Sequence, residues 1–148
     1  MHQVSDQAAG IAAVEFGFDL ENLYVRVDGT SPVTEMLAAG FGFEVRFLSP
    51  VGLRVEVEQA GTGAGATLYR STDGDRWSAV PEPSLRAAAG RVAEFQIPFK
   101  VLGAAAGERV AMFVLLRRGD TDVERQPGHQ AIEFAVPGPQ FAMSAWTA

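Results

Sequence analysis

The chain of 148 residues contains no cysteine, and it is poor in other residue types that carry chemistry. Without thiols, disulfide bonds, thiolate metal sites and cysteine catalysis are excluded. There are only two histidines, and one of them, His2, lies at the N-terminus. No apolar run approaches the roughly 20 residues of a membrane-spanning helix. The first residues also lack the pattern of a secretory signal, so we expect a cytoplasmic location and no membrane partner.

Basic residues are outnumbered, with 12 lysines and arginines against 18 acidic residues and a net charge of −6. Nucleic acid is therefore not expected as a partner, because phosphate neutralisation requires a basic surface. Hydrophobic residues make up 47% of the chain. A chain of this length buries roughly 68–70% of its unfolded surface, which is enough for a core. We expect one domain at residues 13–148, after an extended or disordered tail at residues 1–12.

Alternation of apolar and polar side chains is the strongest signal that the sequence does contain. It is clearest in four early segments, residues 14–19, 23–28, 41–47 and 53–58. Such a pattern places alternate side chains on opposite faces of a β-sheet. Each segment is therefore predicted to be a strand with one buried face.

The second half of the chain continues in the same way. Residues 110–116 are almost continuously apolar, which is typical of a central strand covered on both faces. Short helices are predicted only at residues 33–39, at residues 84–89 and in the turn from Pro98 to Gly103. With strands at intervals of about 8–12 residues, the pattern predicts about nine or ten of them. The expected fold is all-β, an antiparallel two-sheet β-sandwich of the jelly-roll or immunoglobulin type.

The sequence contains few groups of residues that could act together in catalysis. His129 is the one plausible base for a serine triad, but it lies in a turn, and no Gly-x-Ser-x-Gly motif accompanies it. We expect His129 to be a solvent-exposed loop residue. Carboxylates fall on strands or strand ends at six positions: Asp19, Asp28, Glu44, Glu56, Glu58 and Glu124. Each occupies an outward position where a charge is solvated, and a glycosidase would need two of them about 5–9 Å apart.

Metal sites have little support in the residue spacing. The sequence offers no set of three or four zinc ligands with a recognisable spacing. Four aspartates in turns could bind calcium through their oxygens: Asp73, Asp75, Asp120 and Asp122. The spacing of an EF-hand is absent, so we expect no cofactor and keep calcium as an alternative.

Aromatic residues beside turns provide the candidate binding site. Trp77 follows a turn that contains Asp75 and Arg76, and Tyr69 lies on the preceding predicted strand. Flat rings bind sugars by stacking on the apolar face of a pyranose, while polar neighbours bond the hydroxyls. We therefore predict a carbohydrate site at these four residues, with packing of Trp77 inside the sandwich as the alternative. Trp146 is expected to have a structural role, packing near the C-terminus instead of binding a ligand.

One structural pair is also predicted. Arg26 and Glu124 both lie at outward positions on predicted strands, one in each half of the chain. An ion pair between neighbouring strands adds about 0.2–1 kcal/mol. We therefore expect Arg26 and Glu124 to tie the two halves of the domain together.

Both ends of the chain resemble one known domain. Residues 14–28, VEFGFDLENLYVRVD, resemble the start of the β-sandwich domain that follows the catalytic region in bacterial family 57 glycoside hydrolases. The later part resembles the same domain in residues 97–103, 124–127 and 132–137 and in Phe141 and Trp146. The likeness runs from about Val14 to Trp146, and residues 60–90 contribute little to it.

This resemblance implies a fold like that of family 9 carbohydrate-binding modules and DOMON-like domains. Such domains accompany α-glucan-active catalytic barrels and are not catalytic themselves. The resemblance thus implies an accessory domain without the catalytic region, or a free-standing relative, with a polysaccharide or oligosaccharide such as an α-glucan as ligand. The alternative is a structural module that packs against a catalytic domain or against a second copy, without binding sugar.

Overall fold

Residues 10–60 and 63–139, which the computed structural model describes, form two antiparallel β-sheets with a shared core. They contain two short helices, α1 (Val33–Ala38) and α2 (Phe99–Leu102). The strands within these ranges are β1 (Ile11–Phe18), β2 (Asn22–Gly29), β3 (Phe41–Ser49), β4 (Leu53–Ala60), β5 (Gly63–Arg70), β6 (Ser78–Val80), β7 (Arg86–Ala89), β8 (Val92–Pro98), β9 (Arg109–Arg118), β10 (Thr121–Gln126) and β11 (Ile132–Ala135). The predicted β-sandwich is confirmed, with eleven strands in the described residues instead of nine or ten.

The two sheets differ in width. A four-stranded sheet has the order β1-β2-β8-β7. A seven-stranded sheet has the order β10-β9-β3-β4-β5-β6, and β11 also pairs with β9. Strand β1 begins at Ile11, so the first sheet already includes the end of the segment predicted to be a tail. Phe141 and Trp146 lie outside the described residues.

Alternate side chains fill the space between the sheets, as the sequence pattern predicts. Leu23, Val25 and Val27 on β2 are buried, and so are Phe43 and Val45 on β3. Because side chains alternate between faces along a strand, the residues between them lie on the outer faces. Those outer positions are the ones that carry most of the charged and polar groups.

Strand β9 is buried on both faces, as its apolar run predicts. Its outward residues Ala111, Phe113 and Leu115 are buried together with its inward ones. The cover on the outer side includes the guanidinium of Arg125, which lies 3.9 Å from the centroid of the Phe113 ring. A long arginine side chain can shield apolar surface in this way while its charged end reaches water.

Two of the three predicted helices are confirmed. Helix α1 buries Val33, and α2 is closed by Gly103 with φ of 70°, the left-handed conformation that favours glycine. The prediction of a helix at residues 84–89 is wrong, because Arg86–Ala89 is strand β7 and pairs with β8. Alanines have a high helix propensity, but pairing with β8 supplies backbone hydrogen bonds that outweigh this preference.

The glycine-rich segment at residues 61–65 is strand in its last three residues. Strand β5 begins at Gly63, and residues 61–62 lie outside the described part of the chain.

Among the described helices, none has the length and apolar character that crossing a bilayer requires.

Candidate functional site

The structure brings Tyr69 and Trp77 together on the outer face of the seven-stranded sheet. The guanidinium of Arg54 lies 4.7 Å from the centroid of each ring. Arg46 also approaches the Trp77 ring, at 5.8 Å from its centroid. Trp77 is half-buried. These cation–π contacts pack Trp77 against arginines on the outer face of the sheet, and not inside the sandwich as the alternative interpretation had it.

Asp75 and Arg76 are exposed in the turn before Trp77. The Oδ1 atom of Asp73 accepts hydrogen bonds from the backbone N–H groups of Asp75 at 2.8 Å and Arg76 at 3.0 Å. The bond from Arg76, followed by that from Asp75, holds the pKa of Asp73 below its ordinary value. Asp73 therefore organises this turn.

The aspartates that the sequence offered for calcium do not assemble into a site. Asp122 instead pairs with Arg117, whose Nε lies 3.1 Å from Asp122 Oδ1. In the described ranges, no group of three or more histidines or carboxylates could hold a metal ion. His129 is exposed, as predicted.

Glu44 differs most from its predicted environment. The sequence places it on a solvated outer face, but its residue exposure is 0%. Arg46 Nε donates a hydrogen bond to Glu44 Oε2 at 2.6 Å, and Arg117 Nη1 donates one to Oε1 at 3.4 Å. Arg54 Nε lies 4.0 Å from the same Oε1. The prediction was wrong because Arg46 on the same strand and two arginines on the neighbouring strands β4 and β9 cover the carboxylate.

The groups around Glu44 form a network whose charges cancel. We call it the arginine network, and its members are Arg46, Arg54, Arg117, Glu44, Glu56 and Asp122. Burial raises the pKa of Glu56, while Arg54 lowers it and Glu44 raises it further. With three cations and three carboxylates, the network compensates its own charges on the outer face of the seven-stranded sheet.

The predicted pair of Arg26 and Glu124 does not form. Arg26 lies on β2 in the four-stranded sheet, where its Nε is 3.9 Å from Glu15 Oε1. Glu124 lies on β10 in the other sheet, where its Oε1 accepts a hydrogen bond from the backbone N–H of Ile11 at 2.9 Å. The prediction was wrong because sequence alone does not show which strands are neighbours. Glu124 nevertheless links the first strand to the opposite sheet.

A groove of about 560 Å³ lies along the outer face of the four-stranded sheet. Ligand pockets usually have volumes of about 300–1,000 Å³, so this groove has the size of a binding site. Outward side chains from all four strands line it: Glu15, Tyr24, Arg26, Arg86, Glu94 and Gln96. We call it the sheet groove.

Strand register arranges these side chains in two rows across the sheet. In the first row, Gln96 on β8 stands opposite both Tyr24 on β2 and Arg86 on β7. In the second row, Arg26 on β2 stands opposite both Glu15 on β1 and Glu94 on β8. Directly opposed side chains in antiparallel strands have Cβ atoms about 4.5–5.5 Å apart, so each row is continuous.

Tyr24 is held in place by the turn before its strand. Its hydroxyl donates a hydrogen bond to Asp19 Oδ2 at 2.8 Å. Asp19 Oδ1 accepts bonds from the backbone N–H groups of Glu21 at 2.8 Å and Asn22 at 2.7 Å. Partial burial raises the pKa of Asp19, but the bonds from Asn22, Glu21 and Tyr24 outweigh it and lower the pKa overall. The bond to Asp19 in turn raises the pKa of Tyr24.

Sequence reasoning did not identify the sheet groove as a site. Tyr24 and Arg26 are part of the segment that resembles a known domain, and their outward positions follow from the alternation on β2. Glu94 and Gln96 belong to β8, which is about 70 residues away from β2 in the chain. Their pairing with Tyr24 and Arg26 is a long-range contact, and no local pattern contains it.

In comparisons with known proteins, no family model matches this sequence, and no curated protein or solved structure matches it either. The likeness to the accessory domain of family 57 glycoside hydrolases therefore stays a prediction.

Proposed function

We propose that this chain is a non-catalytic carbohydrate-binding domain and that the sheet groove is its binding site. The observation that carries the proposal is the Tyr24 ring, fixed by Asp19, in a groove of about 560 Å³. A fixed ring binds a pyranose face with little loss of conformational entropy. The guanidinium, carboxylate and amide groups around it donate and accept the hydrogen bonds that sugar hydroxyls need.

The sheet groove supports sugar binding better than the Trp77 face does. On that face, the Arg54 guanidinium already contacts the rings of both Tyr69 and Trp77. A sugar would have to displace an arginine that also pairs with Glu56 at 3.1 Å. In the sheet groove, Tyr24 lines the volume, and no cation–π contact to its ring is present among the described residues. An α-glucan is the first ligand to test, because the sequence resemblance indicates that class.

The proposal is tested by isothermal titration of the chain with maltohexaose. Tyr24→Ala should weaken binding about tenfold or more, because a stacked aromatic ring contributes on the order of 1 kcal/mol beyond its buried area. Tyr69→Ala is the matched control, since it removes the same side chain from the other sheet. Its affinity should equal that of the unmodified chain.

Three results would contradict the proposal. Loss of affinity in Tyr69→Ala but not in Tyr24→Ala would move the site to the Trp77 face. No heat at millimolar sugar would favour a structural module that packs against a catalytic domain or a second copy. Release of reducing sugar during the titration would indicate a hydrolase.

A further inference from the structure

We infer that the sheet groove selects uncharged saccharides and discriminates against anionic ones such as uronic acids. This inference rests on the proposed function and adds the ligand class. It follows from how the four charged side chains of the sheet groove are placed. Two of them are cations and two are carboxylates: Arg26, Arg86, Glu15 and Glu94.

Arg26 is the cation at the centre of the sheet, and a carboxylate flanks it on each side. Its register partners are Glu15 on β1 and Glu94 on β8. The Arg26 Nε atom lies 3.9 Å from Glu15 Oε1. An anionic group that approached Arg26 would therefore be repelled by two carboxylates, which carry the same negative charge as the group itself. Because an interface suppresses wrong partners by such like-charge contacts, this row disfavours anionic sugars.

Arg86 is the second cation, and it lies at the edge of the sheet on β7. It stands opposite Gln96, while Glu94 pairs with Ala88, two residues further along the same strand. A diagonal neighbour of this kind lies about 7–8 Å away, within reach of long side chains. The sheet groove thus carries two cations and two carboxylates, so its formal charges sum to zero. The whole chain, at −6, adds to the repulsion of anions.

A neutral sugar chain matches this set of groups. Each sugar hydroxyl both donates and accepts hydrogen bonds. Guanidinium groups only donate, carboxylates only accept, and the Gln96 amide does both. Alternating donors and acceptors along the two rows can thus bond a hydroxyl-rich ligand without leaving a charge unpaired.

The experiment compares maltohexaose with its C6-carboxylated derivative by isothermal titration of the full chain at low salt. We expect the carboxylated sugar to bind about tenfold more weakly or worse, because its charges meet Glu15 and Glu94. The double variant Glu15→Gln and Glu94→Gln removes both carboxylates of the sheet groove and keeps both arginines. It should bind the carboxylated sugar about tenfold more tightly than the unmodified chain does, and added salt should weaken that gain.

The matched control is the double variant Glu35→Gln and Glu58→Gln. It changes the net charge equally at two exposed positions outside the sheet groove. It should keep the preference for maltohexaose. The single variants Glu15→Gln and Glu94→Gln replace the double variant if thermal melting shows that the latter does not fold.

The outcomes separate this inference from the proposed function. Equal or tighter binding of the carboxylated sugar by the unmodified chain would overturn the selectivity and leave sugar binding intact. An equal gain in the control variant would also overturn it, because net charge would then explain the effect. Failure of the unmodified chain to bind either sugar would overturn the proposed function, and the inference with it.

Discussion

Glu44 is a carboxylate without exposed surface on what is formally an outer sheet face. It remains tolerable there because Arg46 and Arg117 donate hydrogen bonds to it and Arg54 lies close by. A buried charge is costly to remove from water, and paired arginines compensate much of that cost. At the scale of single residues, Glu44 is therefore the centre that holds the arginine network together.

Replacing Glu44 with alanine should destabilise the protein by about 3 kcal/mol, because three arginines would lose a buried counter-charge. Glu58→Ala is the matched control: Glu58 is on neighbouring strand β4 but exposed. Its effect should stay within about 0.5 kcal/mol. Urea denaturation of the two variants measures both values. A loss in Glu44→Ala as small as in the control would contradict a central role for Glu44.

The β3–β4 hairpin is held against the segment that follows β5. Its Gly52 has φ of 87°, and Ser71 N–H donates a hydrogen bond to the Gly52 carbonyl at 3.0 Å. A Cβ atom at position 52 would collide with the carbonyl oxygen of Ser71. At the scale of elements, this close backbone contact attaches one hairpin to the next, and glycine is required there for two separate reasons.

Comparing two glycine variants separates these reasons. Gly74 has φ of 84°, and a Cβ atom there would meet nothing within 4 Å. Gly74→Ala should therefore lower the free energy of unfolding by about 1–2 kcal/mol, which is the strain of an alanine in the left-handed conformation. Gly52→Ala should cost about 1–3 kcal/mol more, because the collision with Ser71 adds to it. If denaturant melts show equal losses of unfolding free energy for the two variants, the backbone at Ser71 can shift away from the new Cβ atom without cost.

The whole molecule presents two different outer faces. On the seven-stranded sheet, the arginine network, which includes the stacked Arg54, occupies the outer positions and compensates its own charges. On the four-stranded sheet, the outer positions line a groove. The two faces thus carry different outward side chains, and this difference is the reason that we place the binding site on the narrower sheet.

Amide hydrogen exchange should follow the sheet order. Strands β3 and β9 have paired neighbours on both sides, so their amides should exchange more slowly than those of the edge strands. Strand β6 has three residues at the edge of the same sheet and should exchange fastest among the strands. Mass spectrometry of deuterated peptides measures both. Protection in β6 equal to that in β3 would contradict this strand order.

Local patterns allowed much of the fold to be predicted. The alternation in residues 23–28 and 41–47 identified β2 and β3 together with their buried faces, because the period of two is a property of each strand by itself. Residues 84–89 were predicted wrongly because alanine favours helices, and only the presence of β8 decides in favour of a strand.

The sequence by itself determined the all-β class, the buried faces of the strands and the absence of thiol chemistry. Only the tertiary structure decided which outward residues meet. It separated Arg26 from Glu124, buried Glu44 beneath arginines, and placed Tyr24 beside Gln96. The physical reason is that alternation fixes a side chain's face from adjacent residues, whereas neighbours across a sheet depend on strand pairing over long stretches of chain.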